Sequence, residues 1–227
     1  MVLVRSKRLF KPILPYVGAV IFDASGTLVD DSLATWEAFN KFFNLCGLNS
    51  LSFETFKEKF CLPCSSFLVK MDVPEKAMRE FPMVFNQLYL ESLNRVKLFA
   101  DVKECLLALR RSSIKLGLVS ATPSELLWPA LEKLRLPRFF KLAIGNAPKP
   151  SPLPIYQACE VIGTSPEHAV YVGDMEQDVI CAKRAGAVSI GICRENGSYH
   201  DRNRLEAQNP SYVISDLEEL LSLVAKV

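Results

Sequence analysis

Short apolar runs rich in β-branched residues, each ending in turn-forming or polar residues, recur along most of this chain. Val17-Gly18-Ala19-Val20-Ile21-Phe22 stops at an acidic residue and a Gly-Thr turn. Lys115-Leu116-Gly117-Leu118-Val119 stops at Ser120, and Ala169-Val170-Tyr171-Val172 stops at Gly173-Asp174. Runs with so little polar alternation predict strands buried on both faces, as in a parallel sheet. Weaker strands are predicted at Leu142–Ile144, Val188–Ile192 and Tyr212–Ile214. Between them, helical spacing predicts helices over Val102–Arg110, Ser124–Leu134, Pro152–Ile162, Asp178–Ala185 and Leu217–Val224. Gly163 and Gly186 follow two of these, where glycine permits the left-handed turn that closes a helix. Strands alternating with helices of this length predict an α/β fold, a doubly wound parallel sheet with right-handed crossovers.

The stretch from Ser32 to Leu98 breaks that rhythm. It has no strand candidates but several helical segments: Leu33–Leu45, Ser52–Phe60, Ser65–Lys70 and Glu75–Val96, with Pro82 expected to kink or divide the last. The predicted division is a basic N-terminal extension over 1–17, a core of 18–32 with 99–227, and a helical insert over 33–98. In the extension Arg5, Lys7, Arg8 and Lys11 alternate with Leu3, Val4, Leu9 and Phe10. It reads either as an organelle-targeting leader or as a short lead-in to the first strand, and the lead-in is the expectation.

Composition mainly excludes. With 49% hydrophobic and 23% charged residues the chain is of ordinary globular make-up. A net charge of +2 points to no nucleic acid or acidic polymer as partner. No apolar run approaches the ~20 residues that span a bilayer, so no membrane is expected. Seven cysteines in core-like surroundings suggest reduced thiols and a cytoplasmic location. Cys61 and Cys64 are spaced as half a zinc site, but no second pair follows and His168 and His200 are distant. Loop and core cysteines are the expectation there.

In an open parallel sheet, ligands bind at the carboxyl ends of the strands near the switch in strand order. The predicted strands deliver Asp23, Ser120 and Asp174 to that edge, and Lys149 arrives on a loop after the fourth. Two carboxylates, a hydroxyl and a lysine suit a phosphate group bridged by a hard divalent cation, and Mg2+ prefers such oxygen ligands.

Four motifs now carry a family resemblance. Asp23-Ala24-Ser25-Gly26-Thr27-Leu28-Val29-Asp30 resembles the first motif of the haloacid dehalogenase (HAD)-like hydrolases, normally Asp-x-Asp-Gly-Thr-Leu-x-Asp. Leu118-Val119-Ser120 resembles the second, Lys149-Pro150-Ser151-Pro152 with Tyr156 the third, and Val172-Gly173-Asp174-Met175-Glu176-Gln177-Asp178 the fourth. They occur in family order, and the tail Ser211–Leu220 is similar to the phosphoglycolate-phosphatase and β-phosphoglucomutase-like branch. The resemblance implies a Rossmann-like core with a helical cap after the first strand, closing over a small phosphorylated metabolite, in a monomer or weak dimer. It also implies a covalent mechanism in which Asp23 attacks phosphorus and forms an aspartyl phosphate that water releases. Mg2+ would be held by Asp23, the backbone carbonyl of Ser25 and Asp174. Ser120 and Lys149 would grip the phosphate oxygens, and Asp178 would orient Lys149.

One departure matters most. In the family's phosphatases the second aspartate of the first motif is the general acid and base, and here that position is Ser25. Losing a positioned acid–base costs ~10² to 10⁴ in rate, whereas the backbone carbonyl survives the substitution. Ala121 is a second departure, where many relatives carry Asn. The main expectation is a Mg2+-dependent phosphatase that is slow or restricted to good leaving groups. A catalytically weak homologue with a binding or regulatory role is the first alternative. Phosphonate C–P cleavage is the second, and needs a reactive cap lysine, for which Lys41, Lys57, Lys59 and Lys70 are candidates. Ser65, read as a helix N-cap, is expected to contact the leaving group or to serve structurally. Phe39, Phe42, Phe43, Phe53 and Phe56 fall at helical spacing and are expected in the core of the cap.

Overall fold

The first apolar run becomes β1 (Ala19–Phe22), every residue of it buried. It lies at the centre of the sheet in a computed structural model that describes Leu14 and residues 16–224. The basic stretch ahead of Leu14 therefore lies outside the described residues. In chain order β2 (Val29–Asp30) follows, then helices α1 (Ser32–Leu45), α2 (Phe53–Lys59), α3 (Cys64–Lys70) and α4 (Glu75–Glu91), then β3 (Lys97–Leu98). The chain continues through α5 (Val102–Arg111), β4 (Lys115–Val119), α6 (Ser124–Lys133), β5 (Leu142–Ile144), α7 (Leu153–Ile162) and β6 (Ala169–Gly173). It ends with α8 (Glu176–Ala185), β7 (Val188–Ile192), α9 (Arg202–Glu206), β8 (Tyr212–Ile214) and α10 (Leu217–Val224).

The main sheet has the order β5-β4-β1-β6-β7-β8, with every pairing parallel. The predicted doubly wound sheet is therefore present. From β1 the chain moves outward to β4 and β5, then returns to β6 on the other side. Strand order reverses beside β1, and crossover connections diverging at such a point open a crevice at the carboxyl edge. Phe22 pairs with Leu118 on one side and Val172 on the other, so the three central strands end nearly level. That register brings Asp23, Ser120 and Asp174 to one edge.

Both faces of the sheet are covered. Val20, Phe22, Leu116 and Leu118 face one apolar cluster, which continues into the helices between β2 and β3. Ile21, Val119 and Tyr171 face a second, smaller cluster with Ile155, Ala158 and Cys181. Burial on both faces is why these strands lack polar alternation.

Several boundaries differ from the sequence expectation. Regular pairing of β1 starts at Ala19 rather than Val17. Lys97–Leu98, predicted to lie in a strand-free region, pairs antiparallel with Val29–Asp30, a ribbon too short to show a period. The helix expected over Glu75–Val96 ends at Glu91, and Pro82 does not divide it. Proline removes one N–H from the ladder, but Phe81, Phe85 and Tyr89 of α4 are buried on one face, and Phe39 of α1 packs against Phe81 and Phe85 with ring centroids at 5.5 and 4.6 Å. Packing of that face holds the helix together across the missing bond. Phe39, Phe42, Phe43 and Phe56 form the buried cap interior as expected, while Phe53 lies at its margin, edge-on to Trp36. The five-residue α9 has no counterpart among the predicted helices. No helix of the described residues is long and apolar enough to cross a membrane.

Candidate active site

The turn after β1 is built against a carboxylate. Asp23 extends the ladder by one bond, its N–H donating to Val172 O at 2.8 Å, and Gly26 then takes a positive φ of 70°. A Cβ on Gly26 would lie 2.2 Å from Asp174 Oδ2, so the turn approaches Asp174 as only a glycine can. The buried guanidinium of Arg194 donates to Thr27 O at 2.8 and 3.1 Å, pairs with Asp101 at 3.0 Å and lies over the ring of Phe99. The loop that carries Asp23 is thus fixed from below.

Lys149 Nζ stands 2.7 Å from Asp23 Oδ1 and 2.6 Å from Asp178 Oδ1, and all three side chains are almost fully buried. Asp178 Oδ2 accepts the N–H of Met175 at 3.0 Å, and the Tyr171 hydroxyl donates to Oδ1 at 3.2 Å. Asp174 accepts from Thr27 Oγ1 at 3.3 Å and from the N–H of Tyr199 at 2.6 Å. Oxygens of Asp23, Asp174 and Asp178 all lie within 4.8 Å of one another.

Burial pushes the Asp23 carboxyl up to about 6, against the pull of Lys149. Asp174 is raised well above its ordinary value by burial and by the charges of Asp23 and Asp178. Burial alone would depress the Lys149 ammonium, but Asp178 and Asp23 outweigh it and hold the proton on firmly. Three buried carboxylates facing one ammonium leave an excess of negative charge, and Asp23 Oδ1 accepts no hydrogen bond of regular geometry. An all-oxygen donor set with surplus negative charge fits a hard divalent cation such as Mg2+. Asp23 and Asp174 offer it oxygens, while Asp178 is already engaged by Lys149 and Met175.

Ser25, Ser120 and Ala121 line the same cavity as Asp23. Ser25 Oγ donates to Asp31 Oδ2 at 2.7 Å and lies 3.1 Å from Thr122 Oγ1, which accepts from Ser120 Oγ at 3.1 Å. Asp31 also accepts from Tyr89 at 2.9 Å and from Tyr199 at 3.2 Å, and its burial pushes its carboxyl up to about 6. Sequence reasoning missed Asp31, Tyr89, Thr122 and Tyr199. The Asp30-Asp31 doublet was a visible signal, but nothing local marks the two tyrosines. Ser65 is corrected in one respect: α3 begins at Cys64 after Pro63, with no side-chain cap, so Ser65 is not the N-cap. It lines only the outer mouth of the cleft.

The four candidate lysines lie away from the cleft. Lys41 pairs with Glu91 at 3.3 Å, Lys57 sits over Phe53, and Lys59 and Lys70 border an outer hollow. All seven cysteines are free, and among the described residues no Cys/His group gathers its ligating atoms.

Fold and edge together define a hydrolase of the open α/β class with a helical cap. The chain belongs to the haloacid dehalogenase-like hydrolases, whose family model matches residues 20–192. It is 26% identical over 228 residues to a phosphoglycolate phosphatase of Pseudomonas putida, covering 95% of this chain and 82% of the relative. It is 28% identical over 212 residues to the pyrophosphatase PpaX of Oceanobacillus iheyensis, covering 92% and 97%. A haloacid dehalogenase-like family protein from Streptococcus pneumoniae shares the fold, with a TM-score of 0.80 at 23% identity over 91% of this chain and 97% of that one.

Proposed function

We propose that the protein is a Mg2+-dependent phosphohydrolase that acts on a small phosphorylated metabolite through Asp23. The observation that supports it best is Lys149 clamped between Asp23 and Asp178, with Asp174 alongside. An Asp23 oxygen attacks phosphorus, the bond to the leaving oxygen breaks, and an aspartyl phosphate results. Water then attacks that phosphorus and releases phosphate with the Asp23 carboxylate restored. Bound Mg2+ supplies Lewis-acid charge that offsets repulsion between carboxylate and phosphate. Lys149 neutralises charge on the transferring group, and Asp178 keeps its ammonium in place. Ser120 orients a phosphate oxygen from the end of β4. The helices between β2 and β3 close over the reacting group and exclude water from it.

Ser25 has no ionisation near neutral pH, so departure of a poor leaving group proceeds without a strong acid at that position, at a cost of ~10² to 10⁴ in rate. The same feature favours, as a second reading, a weakly active homologue with a binding or regulatory role. Release of p-nitrophenol from its phosphate ester decides between them, because that leaving group departs without a proton. Turnover that requires Mg2+ and is lost in Asp23→Asn supports the phosphatase. Turnover no higher than that of the variant moves the reading to binding.

A further inference from the structure

The cavity beside Asp23 runs from the phosphate grip toward the cap and is walled by Phe39, Phe60, Leu62, Phe85, Leu126 and Met175. Among the described residues lining it there is no lysine, arginine or histidine. The outer mouth between cap and core adds one cation, Lys149, already held by two carboxylates. The charged groups that face the inner cavity are Asp23 and Asp31. Most of its hydroxyls are already committed: Ser25 and Tyr89 donate to Asp31, Tyr199 donates to Thr35 at 2.7 Å and lies 3.2 Å from Asp31, and Ser120 donates to Thr122.

We infer that the leaving group accepted here is uncharged and largely apolar, an alkyl or aryl alcohol, and that esters whose leaving group carries a carboxylate or a second phosphate are turned away. This rests on the phosphatase reading above and narrows its substrate class. A carboxylate entering such a wall would lose its hydration and gain no counter-charge. An apolar group entering it gains from burial against aromatic and aliphatic side chains. Phosphoglycolate and pyrophosphate, for which two relatives are named, both place a second anionic group where this cleft has no cation to meet it.

The test is calorimetric titration of Asp23→Asn, in the presence of Mg2+, with n-propyl phosphate and with phosphoglycolate, two esters of similar size. The propyl ester should bind at least tenfold tighter. In the natural protein the same two compounds should rank in that order as inhibitors of p-nitrophenol release. Equal binding, tighter binding of phosphoglycolate, or no binding of either overturns the inference. The p-nitrophenyl assay judges the parent reading separately. Turnover without selectivity removes only the substrate class, whereas selective binding without turnover removes hydrolysis and leaves the pocket's preference standing.

Discussion

Ser25 Oγ donates a 2.7 Å hydrogen bond to Asp31 Oδ2, so the hydroxyl at the acid–base position is backed by a buried carboxyl. Restoring the missing acid is therefore not a one-residue change. Ser25→Asp alone would set two buried carboxyls side by side, and such a pair cannot both ionise without a large penalty. Ser25→Asp combined with Asp31→Ser removes that conflict. The double variant should raise kcat for an unactivated ester such as n-propyl phosphate by ~10²-fold or more at pH 7, with the single variant gaining less. Steady-state kinetics on both variants check this; a double variant no faster than the natural protein would mean that Ser25 does not limit turnover.

Metal binding should be strongly pH-dependent. The Asp23 carboxyl sits at about 6 against 3.8 for an ordinary aspartate, and Asp174 is raised as well. A carboxyl raised on folding binds more protons in the folded than in the unfolded state between those two values. Without metal, stability therefore falls as pH rises through that window. Mg2+ competes with those protons, so its apparent affinity should drop about tenfold or more per pH unit below 6. Thermal melts with and without Mg2+ should show a large stabilisation at pH 7.5 that shrinks toward pH 5, and a shift that grows in acid would contradict the site.

Gly26→Ala should damage the metal site more than the fold. A positive φ costs an L-residue ~1 kcal/mol or more, and the added methyl must displace the Asp174 carboxylate from 2.2 Å. The expected outcome is a melting temperature lowered by several degrees and a Mg2+ affinity reduced at least tenfold, read by calorimetry. Unchanged affinity would mean that Asp174 is not a ligand.

Removing the central cation should destabilise. In Lys149→Met, Asp23 and Asp178 lose their counter-charge while buried, and breaking such a pair costs about 3–5 kcal/mol. Urea unfolding at pH 7 should show that loss. At pH 5 it should be smaller, because protonation of Asp23 relieves part of the repulsion. A loss independent of pH would point to packing rather than charge.

The parallel sheet and most of the site were legible because their signals are local. Strands buried on both faces carry unbroken apolar runs, and Asp23, Ser120 and Asp174 each stand at or next to the end of one. Asp178 was legible through its place in the fourth motif, and Lys149 through its place in the third. The β2–β3 ribbon was not legible, since pairs of two residues show no period. Continuity of α4 through Pro82 was hidden because it depends on α1 packing against the far face. The Ser65 cap failed because Pro63 set the start of α3 one residue earlier.

By itself, the sequence determined the strands of the main sheet, the order in which their ends present carboxylates, and the serine at position 25. Tertiary structure alone decided what surrounds that serine. Tyr89 and Tyr199 lie 58 and 168 positions from Asp31, yet both bond to its carboxyl. Side-chain direction at such separations follows from how α4 and the segment after β7 pack across the cleft, and no local period records it. Fold and chemistry could be read from residues close in sequence. The aromatic walls of the cavity beside Asp23, from Phe39, Phe60, Phe85, Tyr89 and Tyr199, arise only where distant elements meet.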